Sequence, residues 1–176
     1  MVGAVNEYLL DIRGLDVSFA GRQGIAHALR GVDLTLRPGE IHALVGESGS
    51  GKTVTSMCIL GLLAMPPGRI NHGHIFFLNR DLVQLDESER RRVRGRDIGM
   101  VFQEPGKYLN PAFKIGDQIT ESLKVHLRLE RKSANDRARE LLDLVGLTDT
   151  RRILKSYPHE LSGGMKQRAM IAMAIA

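Results

Sequence analysis

Residues 46–53 read Gly-Glu-Ser-Gly-Ser-Gly-Lys-Thr, and no other stretch constrains the fold of this chain as tightly. The glycines Gly46, Gly49 and Gly51 let the backbone turn sharply and approach a ligand closely. The amides from Gly49 through Ser50 and Gly51 to Thr53 can converge as an anion-binding nest at the positive end of a helix. Lys52 adds a mobile cation, and the Thr53 hydroxyl is suited to ligate Mg²⁺. Glu47 and Ser48 complete the loop. Ile41-His42-Ala43-Leu44-Val45 before it is an apolar run fit for a buried strand, and Val54 to Leu63 after it has a helical apolar pattern. A flexible Gly/Ser turn would need neither flank. Strand, loop and helix in this order predict nucleotide binding through the phosphates.

The rest of the composition sets limits. A chain of 176 residues with 43% hydrophobic and 26% charged residues is enough for one globular domain with a core. A net charge of +5 is compatible with an anionic ligand, an acidic membrane surface or nucleic acid, and selects none of them. Aromatic residues make up 5% with no Trp, which argues against a nucleic-acid binder that works by base stacking. Cys58 is the only cysteine and falls on the apolar helix pattern, so it reads as a buried structural thiol. Asn6, Glu7 and Asp11 interrupt any signal-peptide core. The apolar runs Met57 to Met65 and Met170 to Ala176 are too short to cross a bilayer. The expectation is a cytosolic, reducing compartment, with any membrane association supplied by a partner.

Along the chain, Tyr8 to Phe19 and His27 to Leu36 alternate apolar and polar residues and predict two antiparallel strands around a turn at Gly21 to Gly24. Arg37-Pro38-Gly39-Glu40 is a turn, and Met65-Pro66-Pro67-Gly68 ends the helix after the loop. Gly73 to Leu78 and Asp97 to Phe102 read as strands, with a charged helix near Asp86 to Arg94 between them. Ile115 to Leu129 and Ala134 to Val145 read as amphipathic helices, the second closed by Gly146. The arginines at 90, 91, 92, 94 and 96 read as a solvated face or as a docking patch for an acidic partner. His72 and His74 have no carboxylate or cysteine cluster to complete a metal site, and His159-Glu160 lacks the second histidine of a zinc helix.

Leu161 to Arg168 read L-S-G-G-M-K-Q-R, a second helix start suited to an anion, with Ser162 at the cap and Gly163 and Gly164 behind it. Alone this would be only a cap. With the loop at 46–53 upstream, the chain resembles the nucleotide-binding subunits of ATP-binding-cassette (ABC) transporters over essentially its whole length. The resemblance implies that Gly46 to Thr53 is the Walker A loop and that Gln103, in V-F-Q-E-P, is the Q-loop glutamine that reaches Mg²⁺ and the attacking water. It implies that Ser162, Gly163 and Gly164 bind the γ-phosphate held by the opposite subunit of a dimer, and that Phe19 stacks on adenine. The wording of V-G-E-S-G-S-G-K-T, R-G-R-D-I-G-M-V-F-Q-E-P, L-N-P and Y-P-H-E-L-S-G-G-M-K-Q-R is most similar to the bacterial oligopeptide/dipeptide and nickel importer ATPases. Where those carry Met-Thr/Ser-Ser, this chain has Gly106-Lys107-Tyr108, in a segment that contacts the membrane subunit in the family.

The implied fold is an α/β P-loop NTPase with a RecA-type core, an antiparallel β subdomain and an α-helical signature subdomain, incomplete at the C-terminus. Residues 1–103 would hold the β subdomain and the first part of the core, 104–163 the helical subdomain, and 164–176 the start of the signature helix. The family's Walker B aspartate and catalytic glutamate would follow Ala176. Leu141-Leu142-Asp143 is no substitute, because it falls within an amphipathic helix. The resemblance further implies ATP and Mg²⁺ as cofactors, membrane-spanning permease subunits and a second ATPase subunit as partners, a solute-binding protein indirectly, and no nucleic acid. The location would be peripheral, on the cytoplasmic face of the inner membrane. The chain as given would lack hydrolysis. A soluble ABC-type ATPase acting on nucleic acid or the ribosome, and an inert partial gene product, stand as alternatives.

Overall fold

The computed structural model describes residues 7–22 and 24–176. The two alternating segments form β1 (Leu10–Gly21) and β2 (Gly24–Leu36), antiparallel from Leu10 opposite Leu36 to Gly21 opposite Gly24. A third strand, β3 (Gly68–Phe77), pairs antiparallel with the other edge of β1, and the two-residue β4 (Arg80–Asp81) pairs with β3. The sheet order is therefore β2-β1-β3-β4. Alternation within each stretch, with the register shift between them, puts Leu10, Ile12, Leu15 and Val17 of β1 and Ile75 of β3 among the buried residues, Leu15, Val17 and Ile75 fully so. Burying side chains of this size stabilises by about 1.5–3 kcal/mol each. The register of β1 shifts between Ile12 and Leu15, and there Gly73 of β3 passes so close that a Cβ on it would lie 2.6 Å from the Gly14 carbonyl oxygen. Only glycine fits that crossing.

After β2, the turn predicted at Arg37–Glu40 is present, with the Arg37 N–H donating to Glu40 Oε2 at 2.8 Å. The phosphate-loop helix α1 (Lys52–Ile59) follows the loop and is shorter than its apolar pattern suggests. Cys58 on α1 is buried, and burial pushes its thiol up to about 11. These elements belong to one compact unit, Met1–Arg90; the second unit is Arg91–Ala176. A charged helix, α2 (Glu87–Val93), runs across that boundary in sequence.

The second unit is helical. Its elements are α3 (Pro105–Tyr108), α4 (Ile115–Leu127), α5 (Arg131–Leu144), α6 (Thr150–Lys155) and α7 (Gly163–Ala174), with a 3₁₀ turn at Pro158–Glu160. Ile115, Ile119 and Leu123 recur every four residues on α4 and are fully buried, as are Ala134, Ala138 and Leu142 of α5. Ile153 of α6 and Ala169 and Ala172 of α7 complete the same core. The alanines let the helices approach closely. So does Gly116, whose added Cβ would sit 2.6 Å from the Leu154 carbonyl oxygen.

Two segments depart from the strands that the sequence predicts. Ile41 to Val45 is not a strand: it runs as irregular backbone, with Ile41 98% and Val45 89% exposed. Asp97 to Phe102 is not a strand either, and makes only one isolated bridge, between Ile98 and Arg94. A strand exists by pairing, and among the described residues neither segment has a partner ladder. The histidines at 72 and 74 take part in no metal-binding group among the described residues; His74 Nδ1 instead lies 2.7 Å from Asp81 Oδ2. The arginine run is divided, with Arg90 donating to the Val83 carbonyl oxygen at 2.9 Å and Arg96 beside Asp97 at 3.7 Å. No helix among the described residues is long and apolar enough to cross a membrane.

Candidate nucleotide site

The loop at 46–53 is built around side chains that are missing. A Cβ on Gly46 would stand 2.7 Å from Ser50 Oγ and 4.0 Å from Lys52 Nζ, inside the loop. Gly51 caps α1 in the left-handed region at φ 92°, and its Cβ would collide with Leu29 Cδ2 of β2 at 2.5 Å. Gly49 is also left-handed at φ 83°, with open space on its side-chain side. Lys52 reaches back over this cradle. Its ammonium donates to the carbonyl oxygens of Gly46 at 2.7 Å and Glu47 at 2.6 Å, and lies 3.2 Å from Ser50 Oγ. The Ser50 N–H donates to the Glu47 carbonyl oxygen at 3.2 Å, which closes the turn containing Ser48. Thr53 is exposed in the first turn of α1, while Thr55 is buried and donates to the Gly51 carbonyl oxygen at 3.0 Å. Residues 41–50 are exposed throughout. A cation folded back over an exposed glycine loop at a helix N-terminus has the right chemistry for polyphosphate.

Phe19 lies near the end of β1, opposite Ala26 of β2 and Gly68 of β3, and is half-buried. Both of its register partners are small residues. This feature belongs to the same unit as the loop.

In the second unit, Gln103 is exposed and precedes α3, which Glu104 caps. Ser162 caps α7, its hydroxyl accepting from the Met165 N–H at 3.4 Å. Gly163 and Gly164 are exposed, and a Cβ on either would meet nothing within 4 Å. Open space therefore lies on the side-chain side of both glycines. The chain enters the cap through the 3₁₀ turn, where the Tyr157 N–H donates to Glu160 Oε2 at 2.6 Å and Pro158 is buried.

One residue escaped sequence reasoning. Gln118 of α4 is 8% exposed and holds the L-N-P turn: it accepts from the Asn110 N–H at 2.9 Å and donates to the carbonyl oxygens of Asn110 at 3.0 Å and Phe113 at 2.9 Å. A glutamine on the buried side of an amphipathic helix is the signal that could have found it.

Comparison with known proteins places this geometry. The sequence profile of the ABC transporter family matches residues 29–176. The oligopeptide transport ATP-binding protein OppD of Bacillus subtilis is 49% identical over 168 residues, covering 96% of this chain and 47% of that protein. The dipeptide transport ATP-binding protein DppD of the same organism is 46% identical, covering 96% of this chain and 50% of that protein. The chain thus spans about half the length of the curated relatives it matches. Among solved structures, the dimeric bacterial ABC transporter cassette MJ0796 superposes with a TM-score of 0.84 at 28% identity, covering 95% of this chain and 69% of that one. A post-hydrolysis state of the same cassette, bound to ADP and Pi, matches equally well. The chain belongs to the ABC transporter family, and its fold is that of the family's ATPase cassette.

Proposed function

We propose that this chain binds ATP with Mg²⁺ as part of a subunit that couples ATP binding and hydrolysis to uptake of peptides or a related solute. The observation that carries the reading is the cradle at Gly46–Thr53, with the Lys52 ammonium held over it by the Gly46 and Glu47 carbonyl oxygens. Lys52 and the amides of Gly49, Ser50, Gly51 and Thr53 would hold the phosphates. The Thr53 hydroxyl and Gln103 would ligate Mg²⁺, and Phe19 would stack on the base. Mg²⁺ neutralises phosphate charge and polarises the phosphoryl group when bound. Ser162, Gly163 and Gly164 would face the γ-phosphate bound by a second ATPase subunit, identical or homologous. Residues 1–103 would act as β subdomain and first part of the core, 104–163 as the helical subdomain and 164–176 as the start of the signature helix. Residues 1–176 by themselves are expected to lack steady-state ATP hydrolysis, since Asp143 lies within α5 and is not placed to activate water.

The further partners would be membrane-spanning permease subunits and, through them, a solute-binding protein, with the subunit peripheral on the cytoplasmic face of the membrane. The names of the relatives, both peptide transport ATP-binding proteins, support the solute class. Uptake of labelled oligopeptides by cells lacking the gene tests the reading. Uptake should return with the wild-type gene and not with Lys52→Ala. Wild-type-level uptake without the gene would overturn it.

A further inference from the structure

Gln103 is exposed, yet both of its neighbours in sequence are held. On one side, Phe102 lies face to face with Tyr108: ring centroids are 3.8 Å apart and the planes 10° from parallel. The Phe102 N–H also donates to Met170 Sδ of α7 at 3.3 Å. On the other side, Glu104 starts α3, with the Lys107 N–H on its carbonyl oxygen at 3.0 Å and Lys107 Nζ on its carboxylate at 2.8 Å. The short helix folds the chain back so that its last residue covers its approach. Residues 102–108 form a loop closed by two aromatic rings, and Gln103 sits at its shoulder.

The stack does not serve the helical core. Tyr108 is 49% exposed, and neither ring belongs to the buried cluster of α4, α5, α6 and α7. Its far end is anchored nevertheless. Leu109, next in sequence, is 2% exposed, and Asn110 is clamped by Gln118. A fixed backbone at 109–110 therefore carries the Tyr108 ring, which presses on Phe102, and Phe102 is tied to the helix that Ser162 caps. The sequence at 106–108 is also where this chain departs from the wording of the peptide importers it resembles.

We infer that Tyr108 is a positioning residue for Gln103, its ring restricting the arc of the Phe102–Gln103 backbone and so the range of directions open to the Gln103 amide. The inference rests on the assignment of Gln103 to Mg²⁺ and water. Stacked aromatic pairs of this kind correspond to about a two- to tenfold change in an equilibrium or rate.

The test uses the protein at its full length, with four variants: Gln103→Ala, Tyr108→Phe, Tyr108→Leu and Tyr108→Ala. ATP affinity is titrated with and without Mg²⁺, and kcat and KM are measured for hydrolysis. Gln103→Ala should reduce the gain in affinity that Mg²⁺ brings, and should lower kcat. Tyr108→Leu, which keeps apolar bulk without a ring, and Tyr108→Ala should lower the same two quantities about two- to tenfold, with Mg²⁺-free ATP affinity unchanged. Tyr108→Phe should behave as wild type. Wild-type behaviour of Tyr108→Leu, or equal defects in Tyr108→Phe and Tyr108→Leu, would overturn the positioning role. Loss of Mg²⁺-free binding in the Tyr108 variants would make the role structural and overturn it too. An unchanged Gln103→Ala would instead remove the assignment on which the inference stands.

Discussion

The Lys52 ammonium donates to the Gly46 carbonyl oxygen at 2.7 Å, spanning the loop from its last turn to its first residue. A Cβ on Gly46 would lie 2.7 Å from Ser50 Oγ and so crowd the turn that this bond spans. Gly51 is constrained twice, by φ 92° and by Leu29 at 2.5 Å from its missing Cβ. Gly51→Ala should therefore destabilise the β-sheet unit by about 1–3 kcal/mol through strain and overpacking. Gly46→Ala should leave the fold intact and weaken ATP binding. Urea unfolding read beside nucleotide titration separates the two effects.

Acid should loosen the same unit through one carboxylate. Asp16 of β1 accepts from Asn71 Nδ2 at 2.6 Å, and this bond, helped by His72 and His27, holds its carboxyl below the usual carboxylate range against a smaller opposing effect of burial. A depressed folded-state value stabilises above the unfolded value, about 3.9, and the contribution is lost as pH falls through that range toward the folded value. Unfolding midpoints measured from about pH 6 to about pH 3 should drop more steeply for wild type than for Asp16→Asn. Parallel curves would show that Asp16 carries none of the acid sensitivity.

Gln118→Ala should cost about 1–3 kcal/mol, because it strips the partners from the Asn110 N–H and from two carbonyl oxygens of the L-N-P turn. Hydrogen exchange at the Asn110 and Ala112 amides should accelerate in this variant. Unchanged exchange would mean that the Asn110 side chain, which accepts from the Ala112 N–H at 3.0 Å, holds the turn alone.

Much of this was legible in the sequence, for reasons that lie in single elements. Leu10 and Ile12, and again Leu15 and Val17 after the shift of register, announce β1 by their alternation, and Ile115, Ile119 and Leu123 announce α4 because their spacing matches a helical turn. Ser162 was readable as a cap because its hydroxyl acts locally. Ile41 to Val45 misled for the opposite reason: its apolar content signals a strand, but a strand's hydrogen bonds depend on residues remote in sequence. The six residues of α6 are too few to show a period, and they follow Asp149, a non-glycine residue at φ 55° whose side chain caps the helix. Gln118 left one local trace, a glutamine on the buried side of α4, whereas the stack of Tyr108 on Phe102 depends on the folded turn, which no local pattern records.

The signature segment should act on a second subunit. With ATP present and hydrolysis blocked, the full-length protein should associate in sedimentation. Ser162→Arg should abolish that association and leave ATP binding by the monomer intact, with loss of the cap costing about 0.5–2 kcal/mol of stability. Loss of monomer binding in Ser162→Arg would contradict a role across the interface.

The central claim is that residues 46–53 hold the phosphates of ATP, and Lys52 tests it most directly. A labelled ATP analogue is titrated, with Mg²⁺, into wild type and Lys52→Ala, both verified as folded by circular dichroism. Each charge-assisted bond from the ammonium is worth about 1.5–3 kcal/mol, so affinity should fall by about tenfold to more than a hundredfold. Equal affinity in the two proteins would contradict the account.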